Sequence, residues 1–153
     1  MQLKEERPIT VLTVGTWDIP HLGHFNFLKK LKGLFPNSRL VVGVNRDDFI
    51  YRFKHRLPVF SYEERSTLVG LINFVDSVLP NAGDEDSKVL IEQVLPEVLA
   101  IGSDWAKKDY YTQMGFDQDW LDAKNISLIY IPYTPMVSTT EIKRRLRDDG
   151  SNN

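Results

Sequence analysis

Two histidines three residues apart, His21 and His24, flank a glycine in the stretch "TVGTWDIPHLGHFNFLKKL", residues 13 to 31. On the first turn of a helix this spacing puts both imidazoles on one face. The backbone amides of a helix start lack partners and favour an anion. Imidazole donors beside such amides can bond phosphate oxygens and stabilise charge that develops in a transition state. An unperturbed imidazole pKa of about 6.5 leaves a usable protonation state near neutrality. Gly15, at the end of a strand-like run, lets the chain turn sharply against a ligand. The same residues support other readings: histidines that cap or pack the helix start, or a two-histidine metal pair. The usual helical metal spacing is i, i+4, and no third ligand is suggested nearby. Asp18 can orient substrate or a Mg²⁺ ion, or can simply form a turn.

These groups need a frame. The run "ITVLTV", Ile9 to Val14, is β-branched and bounded by Pro8 and Gly15, as a buried strand is. Phe25, Leu28, Leu31 and Leu34 recur at helical spacing, and "LVVGV", Leu40 to Val44, reads as a second strand. Strand, helix and strand in so short a span make a βαβ unit of a parallel sheet. The alternation continues with helices over 61–71, 86–95, 120–124 and 139–146, and strands over 75–79, 98–101 and 128–131. Ser61 with Glu64, and Ser138 with Glu141, have the spacing of capping boxes. Residues 52–56, "RFKHR", read as a basic loop after the second strand. The predicted fold is a doubly wound, Rossmann-like five-stranded parallel sheet with helices on both faces. Ligands of such sheets bind beyond the carboxyl ends of the strands. The segments 15–24, 45–48, 102–105 and 133–140 all fall at such ends and are expected to meet.

The 153 residues suit one domain over 1–153 with a polar tail, "DDGSNN" at 148–153, expected to fray. Neither the formal charge of −2 nor the 26% of charged residues biases the chain toward nucleic acid or membrane, so any anion site must be local. The absence of cysteine excludes disulfides, thiolate metal sites and cysteine nucleophiles. No apolar run approaches the roughly 20 residues of a membrane helix, and "MQLKEERP" is unlike a signal peptide. The expected setting is cytoplasmic. No G-x-G-x-x-G follows the first strand, which weakens a dinucleotide-binding redox reading.

"GTWDIPHLGH" resembles the G-T-F-D-x-x-H-x-G-H signature of the nucleotidylyltransferase superfamily, in its cytidylyltransferase branch and nearest to the glycerol-3-phosphate cytidylyltransferases. "VSTTEIKRRL" is similar to the I-S-T-T-x-I-K segment of that family, "GSDW" to G-D-D-W, and "FSYEER" to S-Y-E-x-R. The resemblance covers nearly the whole chain. It implies His21 and His24 as catalytic residues, joined by Lys54 from the basic loop. It further implies nucleotide contacts from Gly15, Thr16, Trp17, Asp18, Gly23, Gly102, Asp104, Trp105, Ser138, Thr139 and Thr140. Substrate contacts would come from Arg65, Arg52 and Asp47; read without the resemblance, Arg65 is a solvated helix charge. No protein metal site is implied, and Mg²⁺ would arrive with the triphosphate. The implied reaction moves CMP from CTP to a phosphorylated small molecule, glycerol 3-phosphate or a related polyol or sugar phosphate, with release of pyrophosphate. The resembling enzymes are commonly homodimers.

Three positions depart from that pattern. Tyr133 stands where the family has an arginine, Met136 where it has a glycine, and Asn73 where it has the arginine of R-Y-V-D-E. Two expected cations are lost, and a neutral side chain cannot supply a charge-assisted bond to phosphate. Either other cations such as Arg52 or Lys143 compensate, or the acceptor differs, or catalysis is reduced. ATP with a sugar phosphate, and a nucleotide-binding module without turnover, are the alternatives these departures admit.

Overall fold

The computed structural model describes residues 7–83, 87–107, 111 and 114–150, without the side chains of residues 105 and 107. Five strands form one sheet: β1 (Thr10–Gly15), β2 (Arg39–Asn45), β3 (Ser77–Asn81), β4 (Val98–Gly102) and β5 (Ser127–Ile131). Their spatial order is β3-β2-β1-β4-β5, and every pairing is parallel. Among the described residues the α-helices with both ends in view are α1 (Leu22–Leu34), α2 (Asp47–Lys54), α3 (Tyr62–Gly70), α4 (Lys88–Val94), α5 (Gln118–Ala123) and α6 (Thr139–Gly150).

The period-2 geometry of β1 sends its successive side chains to two different cores. Val11 faces one core with Leu28, Leu31, Leu40, Val42 and Val69. Its neighbour Leu12 faces the other, with Val41, Leu90, Ile91, Leu99 and Leu121. Helices α1 and α3 cover the first face, and α4 and α5 the second, so the central strands have no solvated side. The expected doubly wound sheet is therefore the observed one.

Several element boundaries differ from the expected ones, each for a local chemical reason. The third strand runs two residues later than predicted and contains Pro80. Because β3 is an edge strand, a missing backbone donor is tolerated there. The predicted basic loop is largely helix α2, which buries Ile50 and stops at His55, a residue in the left-handed region with φ 53°. Its polar residues, Asp47, Asp48, Arg52 and Lys54, masked a short apolar face of Phe49, Ile50 and Phe53. Helix α5 starts two residues earlier than predicted, capped by the Asp117 carboxylate. Helix α6 continues to Gly150, so residues 148–150 of the polar tail are helical, and 151–153 lie outside the described residues. The start predicted for the fourth helix, Asp86, also lies outside them. Among the described residues no helix is long and apolar enough to cross a membrane.

Candidate active site

The segments that follow β1, β2, β4 and β5 converge beyond the carboxyl ends of the strands on one cavity of about 580 Å³. Its walls include Gly15, Thr16, Asp18 and His24 from the first segment, and Asn45 and Lys54 from the second. Gly102 and Asp104 come from the third, with Tyr133, Thr139 and Thr140 from the last. In the strand order the chain winds outward from β1 to β3, then crosses back to β4 beside β1. The cavity thus lies over the switch point of the sheet, where a crevice opens for topological reasons.

Both imidazoles do cap the helix, and the capping settles how they can act. His21 is the N-cap of α1, and its Nδ1 accepts from the Gly23 amide at 3.1 Å. His24 Nδ1 accepts from the His21 amide at 3.3 Å, closing a capping box made of two histidines. A ring nitrogen that accepts carries no proton, so each neutral imidazole holds its proton on Nε2. The rings stack with centroids 3.8 Å apart. Burial, followed by the neighbouring His21, pushes His24 down to about 4, although Asp18 opposes the shift. Burial also lowers His21. Near neutrality the pair is uncharged, with Nε2–H as its donors. Gly23 is required by this stack: a Cβ there would sit 2.9 Å from the His21 ring.

The loop that carries the histidines is held from below. Trp17 and Ile19 have φ of 57° and 46°, left-handed values that a β-branched residue adopts only when the surroundings impose them. Asp18 supplies that restraint. Its carboxylate accepts from the amides of Ile19 at 3.1 Å, Val59 at 2.9 Å and Phe60 at 2.9 Å. Its carbonyl accepts from Thr139 Oγ1 at 2.8 Å, which ties the start of α6 to the loop. Asp18 is therefore an anchor of the loop, each of its carboxylate oxygens accepting from backbone amides while the residue also borders the cavity. Trp17, expected at the nucleotide, borders the cavity while its ring packs against Phe27, and its indole N–H donates to the Gly43 carbonyl at 3.0 Å.

Arg65 receives a different role from the one the resemblance implied. Its side chain is 0% exposed and donates to the carbonyls of Phe60 (2.9 Å) and Thr16 (2.6 Å) and to Asp47 Oδ1 (2.6 Å). The other oxygen of Asp47 accepts from the Tyr62 amide at 3.2 Å. Arg65 and Asp47 thus brace the loop and do not line the cavity. Nor does Arg52 line it; its guanidinium meets Asp48 and the Gly83 carbonyl. Asn73 is exposed and away from the cavity, so the arginine missing there removes no charge from these walls. Ser138 caps α6 by accepting from the Glu141 amide at 3.1 Å. In place of the second half of that expected capping box, the Glu141 carboxylate accepts from Arg144 and Arg145. Those guanidinium bonds bring the Glu141 carboxyl down to about 2. The side chain of Trp105 lies outside the described residues.

Tyr133 does what the family's arginine would not. Its hydroxyl end is tucked over Gly102, where a Cβ would fall 2.2 Å from the phenol oxygen. Desolvation of that end, with the Asp104 carboxylate that accepts its hydrogen bond, pushes the phenol up to about 12. The ring stacks on Phe27. Charge returns from elsewhere: Lys143 and Arg147 line the cavity from α6, one and two turns past Thr139 and Thr140. Lys54 and Arg56 line it from the opposite side. Among its described walls, four cations stand against Asp18 and Asp104, a positive balance in a chain of net charge −2.

Across residues 12–145 the sequence matches the family described as cytidylyltransferase-like. The chain belongs to that family. It is a nucleotidyltransferase, similar to the glycerol-3-phosphate cytidylyltransferase of Bacillus subtilis at 32% identity, over 89% of this chain and 95% of that one. At 33% identity it is also similar to the FAD synthase of Pyrococcus horikoshii, over 84% of this chain and 83% of that one. Among solved structures, the lipopolysaccharide core biosynthesis protein from Thermoplasma volcanium matches with a TM-score of 0.60 and 28% identity, covering 82% of this chain and 96% of that one. Within this cytidylyltransferase-like frame, Arg147, Ser87 and the apolar residues Phe49, Phe53 and Leu57 are cavity residues that the sequence did not single out, and Arg56 of the basic segment joins them. Arg147 had a signal: it lies four residues past Lys143, one helical turn along the same face.

Proposed function

We propose that this protein transfers CMP from CTP to a phosphorylated small molecule, glycerol 3-phosphate or a related polyol or sugar phosphate, with release of pyrophosphate. A phosphate oxygen of the acceptor attacks the α-phosphorus of CTP, and the bond from that phosphorus to the bridging oxygen breaks. No covalent enzyme intermediate is needed. The observation that carries the reading is the stacked histidine pair, whose backbone-bound Nδ1 atoms leave Nε2–H as the donor, with His24 lining a cavity that has four cations among its described walls and His21 stacked behind it.

Such chemistry asks for positioning and charge stabilisation. In this reading His24, supported by His21, donates to the charge that grows on the α-phosphate. Lys143 and Arg147, with the amides at the start of α6, hold the β and γ phosphates, and Thr140 borders them. Thr139 spends its donor on Asp18 and so positions the helix instead. Among the described residues no cluster of three carboxylate or imidazole ligands could hold a metal by itself. That donor set fits Mg²⁺ entering on the triphosphate, where it would neutralise charge while the phosphates supply its ligands.

The test is pyrophosphate release with Mg²⁺, with CTP and ATP offered separately against a panel of phosphorylated polyols and sugars. Release that needs CTP and one acceptor is expected. His21→Ala and His24→Ala should each lower kcat by about a hundredfold or more, with a much smaller effect on nucleotide binding. Wild-type rates in both variants would overturn the catalytic assignment. A second reading, ATP as donor, draws on the FAD synthase relatives, and the same assay separates it by the nucleotide required.

A further inference from the structure

The carboxyl end of β3 buries a polar side chain beside the cavity. Asn81 is 0% exposed and stands opposite Asn45 in the parallel ladder between β2 and β3. Its Nδ2 donates to Asn45 Oδ1 at 2.8 Å and to Ser87 Oγ at 3.2 Å. Its Oδ1 is buried without a hydrogen-bond partner among the described residues. A buried amide with an orphaned oxygen costs stability that an apolar residue of similar volume would not. Such a residue asks for a reason other than stability.

The reverse orientation of this amide is worse. Turned over, Asn81 would accept from Asn45 and Ser87 and strand an NH₂ with two hydrogens, and orphaned buried N–H groups are rarer than under-satisfied carbonyls. The orientation of Asn81 is thereby fixed, with buried Ser87 holding it from the other side. It fixes that of its neighbour in turn. Asn45 gives its Oδ1 inward to Asn81, which turns its own NH₂ to the cavity wall. There the amide approaches Thr16 Oγ1 at 3.5 Å, the long end of a hydrogen bond. Asn45 is half-buried, a neutral donor held at a set angle and poorly used within the protein.

The cavity has charge for phosphate elsewhere. Lys54 and Arg56 border it, while the Asp18 carboxylate, also on the wall, accepts from backbone amides. A phosphate oxygen gains more from those cations than from a neutral amide. A hydroxyl gains from the neutral pair: its oxygen accepts from Asn45 Nδ2–H and its hydrogen goes to Thr16 Oγ1 beside that donor. One long bond is then exchanged for two ordinary ones.

We propose that Asn45, with Thr16, reads a free hydroxyl on the acceptor, and that Asn81 is the positioning residue that aims the Asn45 amide. The acceptor is then a phosphate ester with a hydroxyl on its body, as polyol and sugar phosphates are and simple alkyl phosphates are not. The inference deepens the nucleotidyl-transfer reading and rests on it only for leaving this side of the cavity to the acceptor.

The test titrates glycerol 3-phosphate, ribose 5-phosphate and n-propyl phosphate into the protein by calorimetry, with and without Mg²⁺ and an α,β-methylene analogue of CTP that cannot be cleaved. The three esters carry the same phosphate, and one neutral hydrogen bond gained is worth about fivefold in affinity. At least one hydroxylated ester is expected to bind about fivefold or more tightly than propyl phosphate. Asn45→Ala, Asn81→Leu and the smaller Asn81→Ala should each bring that ratio down toward one. A residue that merely supported the fold would weaken all three esters alike and leave the ratio where it was. The wild-type protein supplies a readout that depends on no variant: the side-chain NH₂ signals of Asn45 in a nitrogen–proton correlation spectrum should move with the hydroxylated ester and stay with propyl phosphate. No preference for either hydroxylated ester, a ratio untouched by Asn45→Ala or by the Asn81 substitutions, or Asn45 signals that respond to propyl phosphate or to the CTP analogue as strongly, overturns the proposal. Should the analogue fail to bind while the hydroxyl preference and its dependence on Asn45 persist, the nucleotidyl-transfer reading falls and this one stands. An analogue that binds beside esters without preference sinks this inference alone.

Discussion

Arg65 offers the sharpest test, because the resemblance and the structure assign it different work. A residue that holds phosphate and one that braces a loop respond differently to Arg65→Lys. Lysine keeps the charge, but its single ammonium cannot reproduce a fork that reaches three acceptors in different directions. At 0% exposure, the carbonyls of Phe60 and Thr16 have no solvent at hand to replace the lost donors. One of the three bonds can be kept and two are lost. At about 1.5 kcal/mol or somewhat more for each bond to a charged group, the expected cost is about 3 kcal/mol. The partial exposure of Asp47 keeps its own share of that cost at the low end. Equilibrium unfolding in urea should show a midpoint lower by about 1–2 M with an unchanged slope. Thermal unfolding should fall by about 10 °C. Some loss of turnover should accompany this, since Thr16 belongs to the histidine loop, while CTP affinity measured well below the transition stays within a few-fold. If stability is unchanged within 1 kcal/mol while CTP affinity drops tenfold or more, the guanidinium reaches phosphate and the bracing argument is wrong.

Acid should destabilise the protein through His24. Its folded pKa of about 4 lies below the unfolded value, so its share of stability is complete above about pH 6.5 and is lost as pH falls toward 4, up to about 3 kcal/mol. Unfolding midpoints measured across that window should slope downward toward acid, and His24→Gln should flatten the slope; an unchanged slope in the variant would assign the acid limb to other groups. At Gly102, alanine would drive Tyr133 outward and break its bond to Asp104, at a cost of about 1 kcal/mol. The same change in a Tyr133→Ala background should cost nearly nothing, and additive effects in that double-mutant cycle would contradict the packing described. Met136 holds a left-handed φ of 61° with its side chain 88% exposed, at the position where the family has glycine. Met136→Gly relieves the backbone strain at the expense of unfolded-state entropy, so urea unfolding should show a net gain between zero and about 1 kcal/mol, and a clear loss would show that the side chain makes contacts of value.

Much of this molecule was legible in one dimension. Short β-branched runs alternating with amphipathic segments imply a parallel sheet, since a strand apolar at every position must be covered on both faces. The ordered motif around His21 and His24, with Ser138 to Thr140, placed the chain among nucleotidyltransferases. Even the departure at Met136 was meaningful, because the glycine it replaces marks a backbone position with positive φ. Helix α2 was hidden by its charged residues, since eight residues hold barely two turns in which an apolar face can declare itself.

Partnership is what a sequence cannot state, because hydrogen bonds between distant segments leave no periodic trace. Arg65 and Thr16 are far apart along the chain, and so are Asp18 and the amides of Val59 and Phe60. From residue type alone, Arg65 reads as a solvated helix charge, which the resemblance turns into a substrate ligand, and Asp18 reads as a turn former or as a group that orients substrate or Mg²⁺. Only the tertiary structure showed both to be anchors of the histidine loop. The same holds for charge: the two arginines absent from the motifs suggested a weakened site, while the return of Lys143 and Arg147 depended on the direction taken by α6. Local pattern determined the fold and the place of the histidine pair, because both are written in spacing along the chain. Which groups face the cavity and which are spent within the protein was decided by packing, because burial and donor satisfaction exist only once distant segments meet.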